Sequence, residues 1–273
     1  MNDRIGLIAG SGRLPIFAAR GIRKAGFEPV VIGLAEEAGP EIEAEVATFT
    51  RIALGDLRRM VAYFQRQGVT RLVFAGKVHK APLFTGAEID RDFLALLAGL
   101  PRKNDDAVLG AVVGYFADGG LTVLPQTEFL QDLLPAKGVL SRRAPDARED
   151  ADIRFGFEMA KHIGALDFGQ SVVVKGRAVL AVEAVEGTDE TIRRGGRLGH
   201  GGAVLVKTSK PQQDPRFDVP TVGPTTIKNM IEAGVSVLAV EAGKTIFIEQ
   251  AACLSEADAH GSAVVAVDSN GLY

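Results

Sequence analysis

Arg4-Ile5-Gly6-Leu7-Ile8-Ala9-Gly10-Ser11-Gly12 is a short apolar run closed by a glycine-rich turn, after which Leu14, Phe17, Ala18 and Ile22 recur at helical spacing. Gly26 ends that helix, and Glu28-Pro29-Val30-Val31-Ile32-Gly33-Leu34 supplies a second apolar strand, completing one strand-helix-strand unit. The alternation continues with strands at 46–52, 71–75 and 121–124 and helices at 56–67, 93–99 and 105–118. Residues 1–130 are therefore expected to form an α/β domain, Rossmann-like, around a parallel sheet.

From 131 to 150 the periodicity fades into Pro135, Gly138, Pro145 and the charges Arg142, Arg143, Asp146, Arg148, Glu149 and Asp150, which reads as a linker. A second, smaller α/β domain of α+β-like character is expected over 151–273. It opens with a helix at 151–163, followed by strands at 170–175 and 178–185 joined by the two-residue junction Gly176-Arg177. A Gly-rich stretch at 195–202, a strand at 203–207, a Pro-rich polar stretch at 210–224, a helix at 225–233 and strands at 235–240 and 245–249 complete it.

The length of 273 residues suits about two domains. Hydrophobic residues at 47% and charged residues at 24% match soluble globular chains and exclude wholesale disorder. With 31 basic against 34 acidic residues the net charge is −3, so no global positive field exists to hold a nucleic acid. A lone cysteine, Cys253, and a start without a signal peptide point to the cytoplasm, and no apolar run approaches the length of a membrane span.

Gly10-Ser11-Gly12 could bring backbone N–H groups to a phosphate at the following helix, but Pro15 stands where a dinucleotide fingerprint has its third glycine, so a nicotinamide cofactor is disfavoured. Phe74-Ala75-Gly76-Lys77-Val78-His79-Lys80 leaves a strand at the carboxyl edge, where ligands collect and Lys77, His79 and Lys80 would form a cationic rim. In Lys103-Asn104-Asp105-Asp106 one aspartate caps a helix. Glu183 and Glu186 sit in or beside an apolar strand, so Glu183 must find a partner, while Thr188 or Asp189 can cap the helix that follows. The stretch 207–226 is the richest in chemistry. Lys207, Lys210, Asp214, Arg216 and Asp218 lie in one proline-stiffened loop, where Asp214 and Asp218 could hold a hard cation such as Mg²⁺. The histidines and the cysteine have no zinc spacing, and no nucleophile elbow or Walker loop occurs.

Five segments together, 6–12, 74–78, 103–106, 181–189 and 218–223, resemble the UDP-2,3-diacylglucosamine pyrophosphatase family of lipid A biosynthesis, the form that is not a metallophosphoesterase. The resemblance runs over nearly the whole chain and is most specific in Glu186-Gly187-Thr188-Asp189 and Asp218-Val219-Pro220-Thr221-Val222-Gly223. It implies Mg²⁺-dependent hydrolysis of UDP-2,3-diacylglucosamine to UMP and 2,3-diacylglucosamine 1-phosphate, with the substrate between two α/β domains. It also implies a homodimer and peripheral contact with the cytoplasmic face of the inner membrane. Asp218 matches the essential aspartate, Gly10, Ser11 and Gly12 with Ala75, Gly76, Lys77 and Val78 match ligand-binding loops, and Thr127 and Thr188 fall on the substrate. Lys207 and Lys210 fall beside the reacting phosphates, with Lys207 in a catalytic role.

Pyrophosphate hydrolysis requires charge neutralised on phosphate oxygens while a water is aligned in line. The expected division of labour gives the metal to Asp218 with Asp214 or Glu183, and the phosphates to Lys207, Lys210 and Arg216. The rival readings are a nicotinamide-dependent oxidoreductase and a non-catalytic carrier of a sugar nucleotide or lipid.

Overall fold

A computed structural model describes residues 3–78, 90–100 and 105–273. The chain divides into two compact units. The first runs through Leu130 and also includes Asp214–Phe217, and the second holds Gln131–Gln213 and Asp218–Tyr273. The second unit, expected to be the smaller, matches the first in size.

In the first unit β1 (Arg4–Ala9), β2 (Glu28–Leu34), β3 (Thr48–Ile52), β4 (Arg71–Ala75) and β5 (Thr122–Val123) form one parallel sheet in the order β3-β2-β1-β4-β5. All of β1 after Arg4 is buried, as a strand with helices on both faces must be. Helix Leu14–Lys24 turns Leu14, Ala18 and Ile22 inward, and Pro15 occupies its first turn, where a missing N–H is harmless. Helix Leu57–Arg66 is capped by the Asp56 carboxylate, which accepts from Arg59 N at 3.1 Å, and sends Met60 and Phe64 into the core. Phe64 and Phe116 are fully buried there. Truncating either to alanine would cost about 3–5 kcal/mol. Phe217 joins the same core from the returning segment, and Gln126 N donates to Pro215 O at 2.7 Å. The strand order reverses between β1 and β4, the point at which ligands bind in doubly wound sheets.

In the second unit β6 (Gly138–Val139), β7 (Ser171–Lys175), β8 (Ala178–Val182), β9 (Ala203–Lys207), β11 (Val235–Glu241) and β13 (Ala263–Val267) form a sheet in the order β6-β13-β11-β9-β7-β8. Its centre, β13-β11-β9, is parallel, and β7 and β8 are added antiparallel. β10 (Thr221–Val222) and β12 (Ile246–Phe247) pair separately. Gly176 and Arg177 both have positive φ, the geometry of a tight two-residue hairpin, and buried Asp152 accepts from both of their N–H groups at 2.8 and 2.5 Å.

Residues 131–150 are not a free linker in this structure. β6 pairs with β13, Arg143 binds Glu149, Ser236 O and Gly261 O, and Asp146 with Glu149 forms the capping box of helix Ala147–Ala165. The charges that suggested a linker are anchors. The Gly-rich run at 195–202 likewise falls largely inside helix Gly187–Gly199, where a Cβ at Gly195 would lie 2.4 Å from Val173 Cβ and one at Gly196 would lie 2.2 Å from Ala233 O. These glycines let a helix lie close against its neighbours, a use that composition does not distinguish from a loop.

Candidate functional site

The two glycine turns of the first unit meet at the reversal point. Gly10 N donates to Ala75 O at 2.8 Å, Ser11 N to Lys77 O at 2.8 Å, and Lys77 N to Ser11 O at 3.0 Å, with the Ser11 hydroxyl adding a bond to Lys77 O. Glycine is required on both sides. A Cβ on Gly10 would stand 2.3 Å from Lys77 O, and one on Gly76, whose φ is +98°, would stand 2.8 Å from Gly10 C. The N–H groups of Gly10 and Ser11 are therefore spent on the protein itself, against the expectation that they face a phosphate. Lys77 and Val78 are exposed beside them, and Thr127 lies half-buried in the turn after β5. His79, Lys80, Lys103 and Asn104 lie outside the described residues, as do the side chains of Asp105 and Asp106.

At the carboxyl edge of the second sheet the chemistry is carried by side chains. Lys207 ends β9 at 5% exposure, and Glu183 follows β8 at 8%. Thr188 joins them: Lys207 Nζ donates to Thr188 Oγ1 at 2.7 Å, and Thr188 Oγ1 donates to Glu183 Oε1 at 2.6 Å. Gln170 N donates to the other oxygen, Oε2, at 3.2 Å. Burial pushes the Glu183 carboxyl up, but the Lys207 charge and these donors outweigh it and hold the group below its ordinary value. Thr188 thus does not cap its helix. The N-cap is Glu186, whose carboxylate lies 3.0 Å from Arg194, and Asp189 accepts from Asn229.

Lys210 Nζ lies 2.8 Å from Asp167 Oδ1 and 3.3 Å from Asp218 Oδ2. Both aspartates have positive φ, near +61° and +55°. Strained backbone of this kind concentrates at functional sites, and aspartate tolerates it better than most residues. The Asp218 side chain is 41% exposed, so it can meet a ligand.

The loop from Lys207 to Asp218, expected to act as a single site, is divided. Lys207, Lys210 and Asp218 belong to the second unit, whereas Asp214–Phe217 belongs to the first. There Arg216 grips the Asp214 carboxylate at 2.9 and 2.6 Å, and that guanidinium, ahead of a smaller burial penalty, holds the Asp214 carboxyl below its usual range.

These bonds bear on which residues suit a metal ion. Among the described residues no three His, Cys, Asp or Glu side chains cluster. Glu183 has both oxygens committed, and Asp214 is occupied by Arg216. Asp218 retains exposed carboxylate, and Mg²⁺ needs only one or two carboxylates when substrate oxygens and water complete its shell. The donor set therefore fits a cation held by Asp218, and does not fit Asp214 or Glu183 as the second carboxylate expected from sequence. A buried hydroxyl at the same edge, Thr208 Oγ1, has no partner among the described residues.

Sequence reasoning did not single out Asp167, Lys161, Ser209 or Glu241. Glu241 carried a visible signal, a carboxylate at the end of the apolar strand Val235–Glu241, on the edge where a parallel sheet collects ligands. Ser209 lies in the 207–226 stretch already read as rich in chemistry, whereas Lys161 and Asp167 come from a helix and the turn that follows it, with no local pattern.

Comparison with known proteins covers both units. Residues 4–133 match the model of the LpxI N-terminal domain and residues 136–265 that of the LpxI C-terminal domain. The UDP-2,3-diacylglucosamine pyrophosphatase LpxI of Caulobacter vibrioides is 33% identical over 276 residues, which span 97% of this chain and 98% of that protein. A match of this extent leaves neither unit outside it, and the chain belongs to the LpxI family.

Proposed function

We propose that the protein is a pyrophosphatase that hydrolyses UDP-2,3-diacylglucosamine to UMP and 2,3-diacylglucosamine 1-phosphate in lipid A synthesis. The observation that carries this reading is the end-to-end similarity to a pyrophosphatase of that name, across both units. The local chemistry is consistent with it. Lys210, placed between Asp167 and Asp218, supplies a positive charge for phosphate oxygens. The buried Lys207 holds the Thr188 hydroxyl at a fixed position, with Glu183 keeping the charge of Lys207 neutralised. Water attacks one phosphorus in line, the bridging P–O bond breaks, and the leaving phosphate carries away the electron pair.

In this proposal Asp218 holds Mg²⁺, which when bound would neutralise charge on the pyrophosphate. Gly10, Ser11, Gly12, Ala75, Gly76, Lys77, Val78, Thr127 and Arg216 are proposed as substrate contacts. The Gly10 and Ser11 contribution is shape, since their N–H groups are engaged. The same reading proposes a homodimer acting at the cytoplasmic face of the inner membrane. Among the described residues no helix is long and apolar enough to cross a membrane.

The test is UMP release from UDP-2,3-diacylglucosamine by purified protein with Mg²⁺, with EDTA and with Asp218→Ala. Turnover lost in the last two, with binding kept in the variant, is the expected result. Full activity in Asp218→Ala would remove the assignment of that residue.

A further inference from the structure

Glu241, the last residue of β11, is 2% exposed and fully engaged. Its Oε2 accepts from Ser209 N at 2.9 Å, Ser209 Oγ at 2.7 Å and Lys161 Nζ at 2.6 Å, and its Oε1 accepts from Lys244 Nζ at 2.9 Å. Lys161, from helix Ala147–Ala165, also donates to Ser209 O at 2.8 Å. The N–H, the carbonyl and the hydroxyl of one residue, Ser209, are thus all bound by a single ion pair. A buried ion pair adds little to stability over an apolar pair of similar volume. What this pair provides is direction, four bonds on one residue, since Lys161 Nζ also donates to Ser209 Oγ at 3.2 Å.

Ser209 immediately precedes Lys210, and Pro211 follows it. The residue before a proline is biased away from helical towards extended backbone. The Lys210 Cα also lies against Gly164, where an added Cβ would stand 3.3 Å away. The backbone that carries Lys210 is therefore constrained from both sides, and its Nζ is delivered to Asp167 and Asp218.

We propose that Glu241, with Lys161, is a positioning residue that fixes the β9 exit through Ser209 so that Lys210 stands against Asp218. This rests on the pyrophosphatase reading for its catalytic consequence and on the structure alone for its mechanical one. Neither Glu241 nor Lys161 touches the reacting atoms. Their effect passes through Lys210, and a displacement of about 1 Å of such a group can cost about a hundredfold in rate.

The test is a double-mutant cycle on the full chain, using UDP-2,3-diacylglucosamine and Mg²⁺. Glu241→Gln should lower kcat by about 10- to 100-fold while leaving KM within about threefold. In a Lys210→Ala background the same substitution should cost less than about threefold, because the residue through which it acts is gone. An undiminished Glu241→Gln penalty in that background would overturn the proposal. Hydrogen exchange decides the mechanical part without turnover: residues 208–213 should exchange about tenfold faster in Glu241→Gln, with β7 unchanged. Unaltered exchange at 208–213 would overturn the proposal, whereas absent turnover in the wild type would overturn the pyrophosphatase reading and leave the exchange result standing. If Glu241→Gln does not fold, Ser209→Ala, which removes the hydroxyl's bonds to Glu241 and Lys161 and keeps the two backbone bonds, runs the same cycle and the same exchange measurement, with the same outcomes expected.

Discussion

Where β1 and β4 end, in the first unit, two strands of backbone approach so closely that a methyl group on either glycine would collide with the other. Where β7, β8, β9 and β11 have their polar edge, in the second unit, the backbone is strained at Asp167 and Asp218, and buried charge does most of the organising, in the Lys207–Thr188–Glu183 chain and the Glu241–Lys161 pair. The first arrangement is short-range, steric and indifferent to salt or pH. The second depends on ionisation and on side chains drawn from two helices, two strands and the exit of β8. Rigid shape and aligned charge are distinct ways of fixing a sheet edge, and here each unit uses a different one.

The sharpest way to break this division is Asp218→Ala. We expect a loss of at least about 10²- to 10³-fold in kcat, the scale of removing one electrostatic contributor, with only a modest fall in melting temperature, because alanine tolerates the positive φ of this position less well than aspartate. Activity near wild type would move the chemistry away from the charged edge. Next in size, Lys207→Met or Glu183→Gln leaves one buried charge without its counterpart and should destabilise by about 3–5 kcal/mol in urea titration. The double variant Lys207→Met with Glu183→Leu should recover most of that loss, since no unpaired charge remains. Gly76→Ala tests the steric partner: strained φ and the clash with Gly10 should cost about 1–3 kcal/mol, equally at low and high salt.

Acid should separate the two units. Burial raises the Glu241 carboxyl, but Lys161, Lys244 and Ser209 lower it more, and Glu183 is likewise held low against burial by Lys207 and its donors. Both ionise at lower pH when folded than when unfolded. Their contribution is therefore complete above about pH 4.3, the ordinary glutamate value, and is lost as the pH falls through the folded value. Hydrogen exchange followed as the pH falls below about 4.3 should show the second unit's polar edge opening before the first unit's sheet. The smallest effect concerns Cys253, buried at the end of a helix turn with its thiol pushed up to about 11 by burial and then by Glu249. Thiol-reactive dye should label it slowly in the native protein at neutral pH and rapidly in urea.

The first unit was readable because its determinants are contiguous. Gly10-Ser11-Gly12 follows β1 and Gly76-Lys77 follows β4, both strands apolar after their first arginine, and a parallel sheet brings the ends of such strands together. The second unit was readable only in part. The Gly176-Arg177 hairpin and the strand Ala203–Lys207 show in their local pattern, but helix Gln250–Ala259 and β13 went unread, although β13 is inside the sheet. Glu183 was recognised as needing a partner, yet nothing local specified that Lys207 and Thr188 would satisfy it rather than a metal. Arg142, Arg143 and Glu149 looked like a solvated linker because their partners, Asp258, Gly261 and Ser236, lie more than eighty positions downstream.

The return of Asp214–Phe217 to the first unit has a consequence for how such a gene can be recombined. The family's two domain models divide the chain near residue 135 and assign those four residues to the second half. Phe217 nevertheless fills the first unit's core, next to the Asp218 that serves the second. A chimera that swaps halves between two relatives at residue 135 would combine one parent's core with the other parent's plug. Compatible exchange requires either that 214–217 travel with the first half or that the two parents share them, so this tetrapeptide ties the inheritance of one unit to that of the other.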